Sequence, residues 1–182
     1  VANPLSQVFL EGAVAAGYPL TDDFNGANAE GAGWHDLTIT QGTRQSTAAA
    51  YLHPVAHRPN LTISTESRAR HLRFEGNRCV GVDFERGGRL VTAHADTEVV
   101  LSAGAVDSPR LLLLSGVGPA AELRAADVTV VHDLPGVGRN LHDHPLCGVV
   151  YESAQPVSAG QTNLAEASML WRSDDTLTGP DM

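Results

Sequence analysis

The sequence predicts a mixed α/β (α+β) fold with a three-stranded antiparallel meander in the middle of the chain. The first observation is a period of two in "CVGVDFE", where Val80, Val82 and Phe84 alternate with small or acidic residues. The second is a pair of turns, "EGN" and "RGG", rich in residues that accept the positive φ of tight hairpins. The third is helical spacing of apolar residues near the N-terminus.

Composition indicates a folded domain and excludes one class of partner. The 182 residues are 42% hydrophobic and 18% charged, which is ordinary for a globular chain with a sizeable core. The net charge of -9 arises from 12 basic against 21 acidic residues. Because a surface that binds phosphates needs an excess of Lys and Arg, we expect no nucleic-acid partner.

The cysteines and the apolar runs indicate a cytoplasmic protein. Cys79 and Cys147 lie far apart and form no C-x-x-C motif, so neither a disulfide framework nor a zinc knuckle is expected. No apolar run reaches the roughly 20 residues of a transmembrane helix, and the N-terminus does not resemble a signal peptide. Since the chain starts at Val1 and stops at "TGPDM", we expect a fragment of a longer protein.

The N-terminal part of the sequence predicts two helices separated by a loop. Asn3 is a suitable N-cap, Pro4 suits the first helical position, and Gly17 is a stop after the amphipathic run. Residues 18–44 read as an irregular loop that ends in a short strand around "DLTIT". Ser46 then begins a second helix through "TAAAYL", which nearby prolines end.

The middle of the sequence predicts a sheet around the meander. The meander strands are "ARHLRF", "CVGVDFE" and "RLVTAHA". On either side lie "NLTIST" and "EVVLSA", and the unbroken apolar run of the latter is typical of a strand covered on both faces. We therefore expect the two flanking segments to lie in one sheet, with the meander as the stretch of chain that joins them.

Four consecutive leucines, Leu111–Leu114, decide how the next segment is interpreted. As a helix, Asp107 or Ser108 caps it, Pro109 occupies the first turn, and Gly116 ends it. Leu is a good helix former without β-branching, which favours this interpretation.

As a strand, the same leucines lead into "GVGPAA", a G-x-G-x-x-A turn followed by a short helix and by Asp133 as a ribose-binding acid. This alternative describes a free-standing α/β nucleotide-binding module that uses the Gly116–Gly118 turn. Pro119 argues against it, because it removes an N–H that a phosphate-binding turn would use. The two interpretations differ in a testable way, since only the second places the leucines in a sheet.

Four blocks follow one another along this chain, namely "GTRQSTAAAYLHP", "RPNLTISTESRARHLRFEGNRCVGVDF", "LSAGAVDSPRLLLLSGVGP" and "DLPGVGRNLHDHP". In this order they resemble the glucose-methanol-choline (GMC) oxidoreductases, in particular their choline-dehydrogenase-like members. The resemblance implies FAD-dependent oxidation of a small-molecule alcohol and a partial FAD-binding domain. It also implies a helix for the four leucines.

The resemblance further implies that essential groups lie outside these residues. The family's G-x-G-x-x-G motif and its C-terminal catalytic histidine with a His or Asn partner have no counterpart here. We therefore name no catalytic residue and expect the 182 residues to be inactive alone and to lack FAD. By the same resemblance, residues 1–58 belong to the substrate side, 59–145 to the FAD-binding domain, and 146–182 to the start of a substrate-domain segment.

Cofactor contacts follow only where the family's motifs match. By the resemblance, Ala69 occupies the position at which family members place a residue, often Val, whose backbone meets the adenine, and backbone recognition tolerates this change. Ser102, Ala103 and Gly104 match a small-residue strand end near the ADP half of FAD. The alternative for these three residues is that they only let the following helix pack on the sheet.

The block "NLHDHP" matches a family segment near the flavin. Asn140, Asp143 and His144 are its cofactor-side candidates, while His142 stands where many relatives have Gln. Two histidines two residues apart do not complete a metal site, so no metal is expected. Trp34 and His35 lie in a block on the substrate side, or are a packed Trp beside a surface His.

We also expect the chain to self-associate. Faces that pack against missing parts of the FAD-binding domain would remain exposed, and exposed apolar patches tend to be covered by a second copy. A dimer or a higher oligomer is the expected state.

Overall fold

The computed structural model describes residues 3–157 and 165–182. They form two compact units, Val1–Leu61 with Val149–Met182, and Thr62–Gly148. In chain order the elements are α1 (Pro4–Ala15), β1 (Gly31–Trp34), β2 (Ile39–Thr40), β3 (Thr43–Arg44), a π-helical turn (Ala48–Leu52), a 3-10 turn (His53–Val55), β4 (Arg68–Glu75), β5 (Arg78–Arg86), β6 (Arg89–His94), α2 (Gly104–Leu114), β7 (Val117–Gly118), α3 (Ala120–Ala125), β8 (His132–Asp133) and β9 (Ala167–Leu170).

The first unit is built on α1, whose ends follow the sequence prediction. The Asn3 side chain accepts a hydrogen bond from the Leu5 N–H at 2.9 Å, and Pro4 occupies the first turn. The helix stops before Gly17, which has a φ of +94°. The core of the unit contains Leu10, Ala13 and Ala32, with Tyr18, Ala167 and Met169 packed around it.

The prediction of an irregular loop over residues 18–44 is wrong at β1. Gly31–Trp34 pairs with β9 in an antiparallel sheet, and Ala32 lies opposite Met169. The tetrapeptide "GAGW" has no alternation, and its partner strand lies more than a hundred residues later in the sequence. Such a pairing leaves no local signal.

The second predicted helix is present as an irregular helical segment. The Ser46 hydroxyl accepts a hydrogen bond from the Ala49 N–H at 3.1 Å, which is the expected role of a capping side chain. The segment then continues as a π-helical turn and a 3-10 turn. Before it, the strand predicted at "DLTIT" is β2, which forms a hairpin with β3.

The meander prediction is confirmed in the second unit. β4, β5 and β6 pair antiparallel in that order, and both connecting turns contain glycines with positive φ, of which Gly76 has +58° and Gly88 +73°. Asp83 lies opposite His71 on one side and Thr92 on the other.

The prediction that "NLTIST" and "EVVLSA" lie in one sheet, joined by the meander, is wrong. Neither segment is assigned to a strand, and within residues 3–157 and 165–182 the meander sheet contains only its own three strands. A strand exists only where a neighbour completes its hydrogen-bond ladder. Apolar composition alone therefore does not place these two segments in a sheet.

The four leucines are helical, as the resemblance and the residues both predict. They form the last turn of α2, and Gly116 follows with a φ of +84°. The start of the helix differs from the prediction, since α2 begins at Gly104 rather than after Asp107 or Ser108. Pro109 thus lies inside the helix, and the Ser108 hydroxyl accepts a hydrogen bond from the Ala103 N–H at 3.0 Å.

Candidate functional site

Two of the predicted cofactor contacts, Ala69 and Ala103, lie on the wall of one cavity in the second unit. Ala69 comes from β4, and Ala103 directly precedes α2. The cavity measures about 280 Å³. Its lining consists of Ser67, Arg68, Ala69, Ala103, Asp107, Arg110 and Leu111.

Gly104 directly follows Ala103 in the chain but is not itself in the lining of this cavity. It has a φ of +88°, a conformation that L side chains rarely adopt, and a Cβ built on it meets no atom within 4 Å. The backbone at the start of α2 is therefore open to close approach. Ser102, two residues earlier, is exposed and belongs to no strand.

The cavity has an edge of β-sheet on one side and charged side chains near it. β4 is an edge strand of the meander, so one of its edges carries backbone groups that the sheet does not use. The Arg110 guanidinium pairs with the Asp107 carboxylate at 3.1 Å, and Arg68 is the second guanidinium in the lining. The wall thus combines small apolar groups, backbone polar groups and a net positive charge.

A neighbouring arginine is engaged elsewhere. Arg70 forms an ion pair with Glu85 of β5 and holds the pKa of that carboxyl below its ordinary value. Its hydrogen bond is the main cause of the shift. Arg70 therefore links β4 to β5 across the surface of the meander sheet.

Asn140 lies apart from Ala69, in a second cavity of about 540 Å³. This cavity uses a different face of α2, which includes Ala105, Pro109 and Leu112, and His142 is also in its lining. Asn140 has a φ of +54°, which its side chain type tolerates.

Asp143 and His144 do not line either cavity. The His144 N–H donates a hydrogen bond to the Asp143 carboxylate at 2.8 Å, and both residues are exposed. The seven predicted contacts are thus distributed over two sides of α2 and the exposed segment that follows Asn140.

No metal centre was predicted, and the described ranges 3–157 and 165–182 contain no group of three or more His, Cys, Asp or Glu side chains that could hold a metal ion. His142 and His144 therefore gain no third ligand in this part of the chain. Cys79 and Cys147 are both free thiols.

The alternative nucleotide-binding turn is wrong on structural grounds. The leucines before it are helical, and the backbone of Gly116 and Gly118 is tightly packed. A Cβ on Gly118 would lie 2.4 Å from the Leu113 side chain. The Asp133 carboxylate accepts a hydrogen bond from the Ala120 N–H at 2.9 Å, so the proposed ribose acid serves the first turn of α3.

The first unit has a cavity of its own, of about 410 Å³, that includes Trp34 in its lining. Its other walls come from α1 and from residues near Leu20. The neighbouring His35 ring lies 5.4 Å from the Phe24 ring, centroid to centroid. Trp34 is thus a cavity residue, while His35 is engaged in a ring contact.

The three charged residues of the cavity that contains Ala69 and Ala103 were missed in the sequence analysis, namely Arg68, Asp107 and Arg110. Asp107 was assigned only to helix capping. Since α2 starts at Gly104, Asp107 and Arg110 lie one turn apart on the face of the helix that borders β4. In the sequence, the only sign that these two side chains pair was their opposite charge at i, i+3 spacing.

Among the helices of the described residues, none is long and apolar enough to cross a membrane.

Comparison with known proteins identifies the family. A family model described as GMC oxidoreductase matches residues 1–146. The mitochondrial choline dehydrogenase of Mus musculus is 50% identical over 156 residues, which cover 86% of this chain and 26% of that enzyme. The chain thus spans about a quarter of the length of this curated relative.

Solved structures agree with this assignment. Pyridoxine 4-oxidase from Mesorbium loti superposes with a TM-score of 0.84 and 36% identity, covering 94% of this chain and 34% of that one. An FAD-dependent oxidoreductase from Chaetomium thermophilum gives a TM-score of 0.71 and 30% identity, covering 79% of this chain and 25% of that one. The chain therefore belongs to the GMC oxidoreductase family.

Proposed function

We propose that these residues form part of an FAD-dependent oxidoreductase that oxidises a small-molecule alcohol. The bound flavin supplies the acceptor for the hydride that leaves the substrate carbon. The observation that carries this proposal is the cavity shared by Ala69 and Ala103, in a chain whose relatives include a choline dehydrogenase and an FAD-dependent oxidoreductase.

The residues of this cavity fit the adenosine end of FAD. The edge of β4 offers backbone donors and acceptors beside Ala69, and hydrogen bonds to the polar edge of an adenine need only such groups. Ala103 keeps the opposite wall free of bulky side chains, and the neighbouring Gly104 adds no side chain beside it. Arg68 adds positive charge that favours a ligand with phosphates.

For the flavin end, we propose that Asn140, Asp143 and His144 lie on the cofactor side of the complete site. Support comes from the match of "NLHDHP" to the family's block and from the cavity that Asn140 and His142 line. In this role Asn140 and His142 shape the wall beside the cofactor, and the exposed Asp143 and His144 contact it from the following segment.

We further propose that the groups that move the alcohol proton lie in other parts of the enzyme. General-base catalysis needs a side chain within hydrogen-bond reach of the substrate hydroxyl. The chain spans about a quarter of its curated relative, which leaves room for such a group elsewhere. The substrate class is a small alcohol, and choline is the first compound to try because of the similarity to choline dehydrogenase.

The experiment uses the full-length enzyme that contains this chain. The purified protein should show a flavin absorption spectrum that bleaches when an oxidisable alcohol is added without oxygen. Choline, pyridoxine and benzyl alcohol form the first panel of substrates. A preparation without flavin, or a flavin that no alcohol of the panel reduces, would contradict the proposal.

A pair of variants tests the cavity itself. Ala69→Leu adds a side chain at the cavity wall and should lower the flavin content. Ala93→Leu makes the same change on the exposed strand β6 and should leave the flavin content as in the wild type. Equal flavin content in both variants would contradict the role of this cavity.

A further inference from the structure

The side chain of Ser115 links α2 to the edge of β4. Its side chain is buried, with 1% of the residue exposed. The hydroxyl accepts a hydrogen bond from the Leu72 N–H at 2.8 Å and donates one to the Leu111 carbonyl oxygen at 2.6 Å. Ser115 therefore satisfies one backbone group of the strand and one of the helix.

The two backbone groups belong to β4 and α2, which form the walls of the cavity between Ala69 and Ala103. We call this cavity the adenosine cavity, after the end of FAD that it is proposed to bind. Leu72 lies three residues after Ala69 on β4, and Leu111 is itself in the cavity lining. Both leucines are buried, each with 4% exposed. A shift of α2 along β4 would therefore move one wall of the cavity against the other.

A hydroxyl is the group that suits this position. It donates and accepts at once, which Ala cannot do, and Ser115 is small enough for the space between strand and helix. Without the hydroxyl, the Leu72 N–H on the strand edge would be buried without its partner, a state that folded proteins avoid. The contact thus constrains the register of α2 on the sheet.

We propose that Ser115 is a positioning residue for the cofactor, which fixes the separation between Ala69 on β4 and Ala103 at the start of α2. This inference rests on the proposed function, because it takes the adenosine end of FAD as the ligand of that cavity. Ser115 does not touch the ligand in this role. It acts through Leu72 and Leu111.

The test is the affinity of the full-length apoenzyme for FAD, measured by fluorescence quenching well below the unfolding temperature. Ser115→Ala should raise the Kd about tenfold, which corresponds to about 1.4 kcal/mol. Ser115→Cys replaces the hydroxyl with a somewhat larger thiol that keeps a weaker hydrogen bond, so its Kd should rise less. Hydrogen exchange of the β4 peptide should become faster in Ser115→Ala than in the wild type.

Leu123→Ala is the control for a loss of stability alone. Leu123 is buried in the same unit but lies outside the lining of the adenosine cavity. The variant should lower the unfolding temperature and leave the Kd for FAD unchanged. If Leu123→Ala raised the Kd as much as Ser115→Ala, the effect of Ser115 would be one of stability and the inference would be overturned.

The inference and the proposed function fail in different ways. A wild-type enzyme that does not bind FAD would overturn both. A wild-type enzyme that binds FAD, with Ser115→Ala of reduced stability but unchanged Kd, would overturn only the role of Ser115. If Ser115→Ala does not fold, Ser115→Cys decides, and an unchanged Kd in that variant overturns the inference.

Discussion

A Cβ atom on Gly116 would lie 2.3 Å from the carbonyl oxygen of Thr129. The same glycine has a φ of +84°, and its carbonyl oxygen accepts hydrogen bonds from the N–H groups of Val131 and His132 at 2.8 and 3.1 Å. Gly116 thus ends α2 and lets the segment before β8 approach closely. The glycine is required by packing in this chain, although its motif resembles a phosphate-binding turn.

Gly116→Ala should destabilise the second unit by roughly 2–4 kcal/mol, because a left-handed conformation and a close backbone contact both oppose a methyl group. Urea denaturation followed by circular dichroism measures the change. Gly136→Ala is the matched control, since a Cβ at Gly136 meets nothing within 4 Å and its φ is not positive. Similar stability losses in the two variants would contradict this account.

Glu166 joins the segment before β9 to the start of α1. Its buried carboxylate accepts hydrogen bonds from the Asn3 N–H at 2.6 Å and from the Ser6 hydroxyl at 3.1 Å. Glu166→Ala should cost about 2–3 kcal/mol, because hydrogen bonds to a charged group are among the stronger ones. Thermal unfolding measures the loss, and Glu152→Ala at an exposed position should change stability by less than about 0.5 kcal/mol.

Asp83 should make the stability of the meander depend on pH in the acid range. The Thr92 hydroxyl at 2.6 Å, and then Arg73 at 3.2 Å, hold the pKa of Asp83 below its ordinary 3.8. Since the pKa is lower in the folded chain, Asp83 contributes stability above pH 3.8, and this contribution is lost as the pH falls through that value and below.

The measurement is urea denaturation of Asp83→Asn at neutral pH and at about pH 3. The variant should be less stable than the wild type at neutral pH, and the difference should shrink in acid. Asp96→Asn serves as the control, because the described residues provide no hydrogen bond to the Asp96 side chain and that residue is exposed. If the stability difference between the wild type and Asp83→Asn grew on acidification, the lowered pKa of Asp83 would not be the source of this stability.

The 182-residue chain by itself should purify without colour and should not oxidise choline, aromatic or aliphatic alcohols when FAD is added. Backbone contacts to the adenosine end contribute about 1 kcal/mol each, which does not offset the cost of immobilising so large a ligand. Visible absorption and a dye-reduction assay test both parts. A yellow preparation with nearly stoichiometric flavin would show that these residues hold more of the cofactor site than expected.

The isolated chain should also self-associate. On α1, Leu5, Val8 and Phe9 share one face and are about half exposed. We expect light scattering at micromolar concentration to give the mass of a dimer or larger. Val8→Glu should shift the mass toward the monomer, whereas Val14→Glu, on another face of α1, should not. A monomeric wild-type chain would contradict the prediction.

Local patterns were sufficient for the elements that the chain builds from neighbouring residues. The meander follows from period-two alternation and from glycine turns such as Gly76, because adjacent strands need only a short connection. The cap at Asn3 and the stop at Gly116 are likewise properties of a few consecutive residues. The family resemblance rests on sequence blocks in the same way.

Contacts between distant residues were decided only by the tertiary structure. β1 is a strand because β9 supplies its ladder, whereas the more apolar "EVVLSA" has no such partner among the described residues and forms none. The sequence and its resemblance indicated Ala69 and Ala103 separately. That they face one cavity, held by Ser115 between α2 and β4, depends on packing across more than thirty residues of chain, which no local pattern encodes.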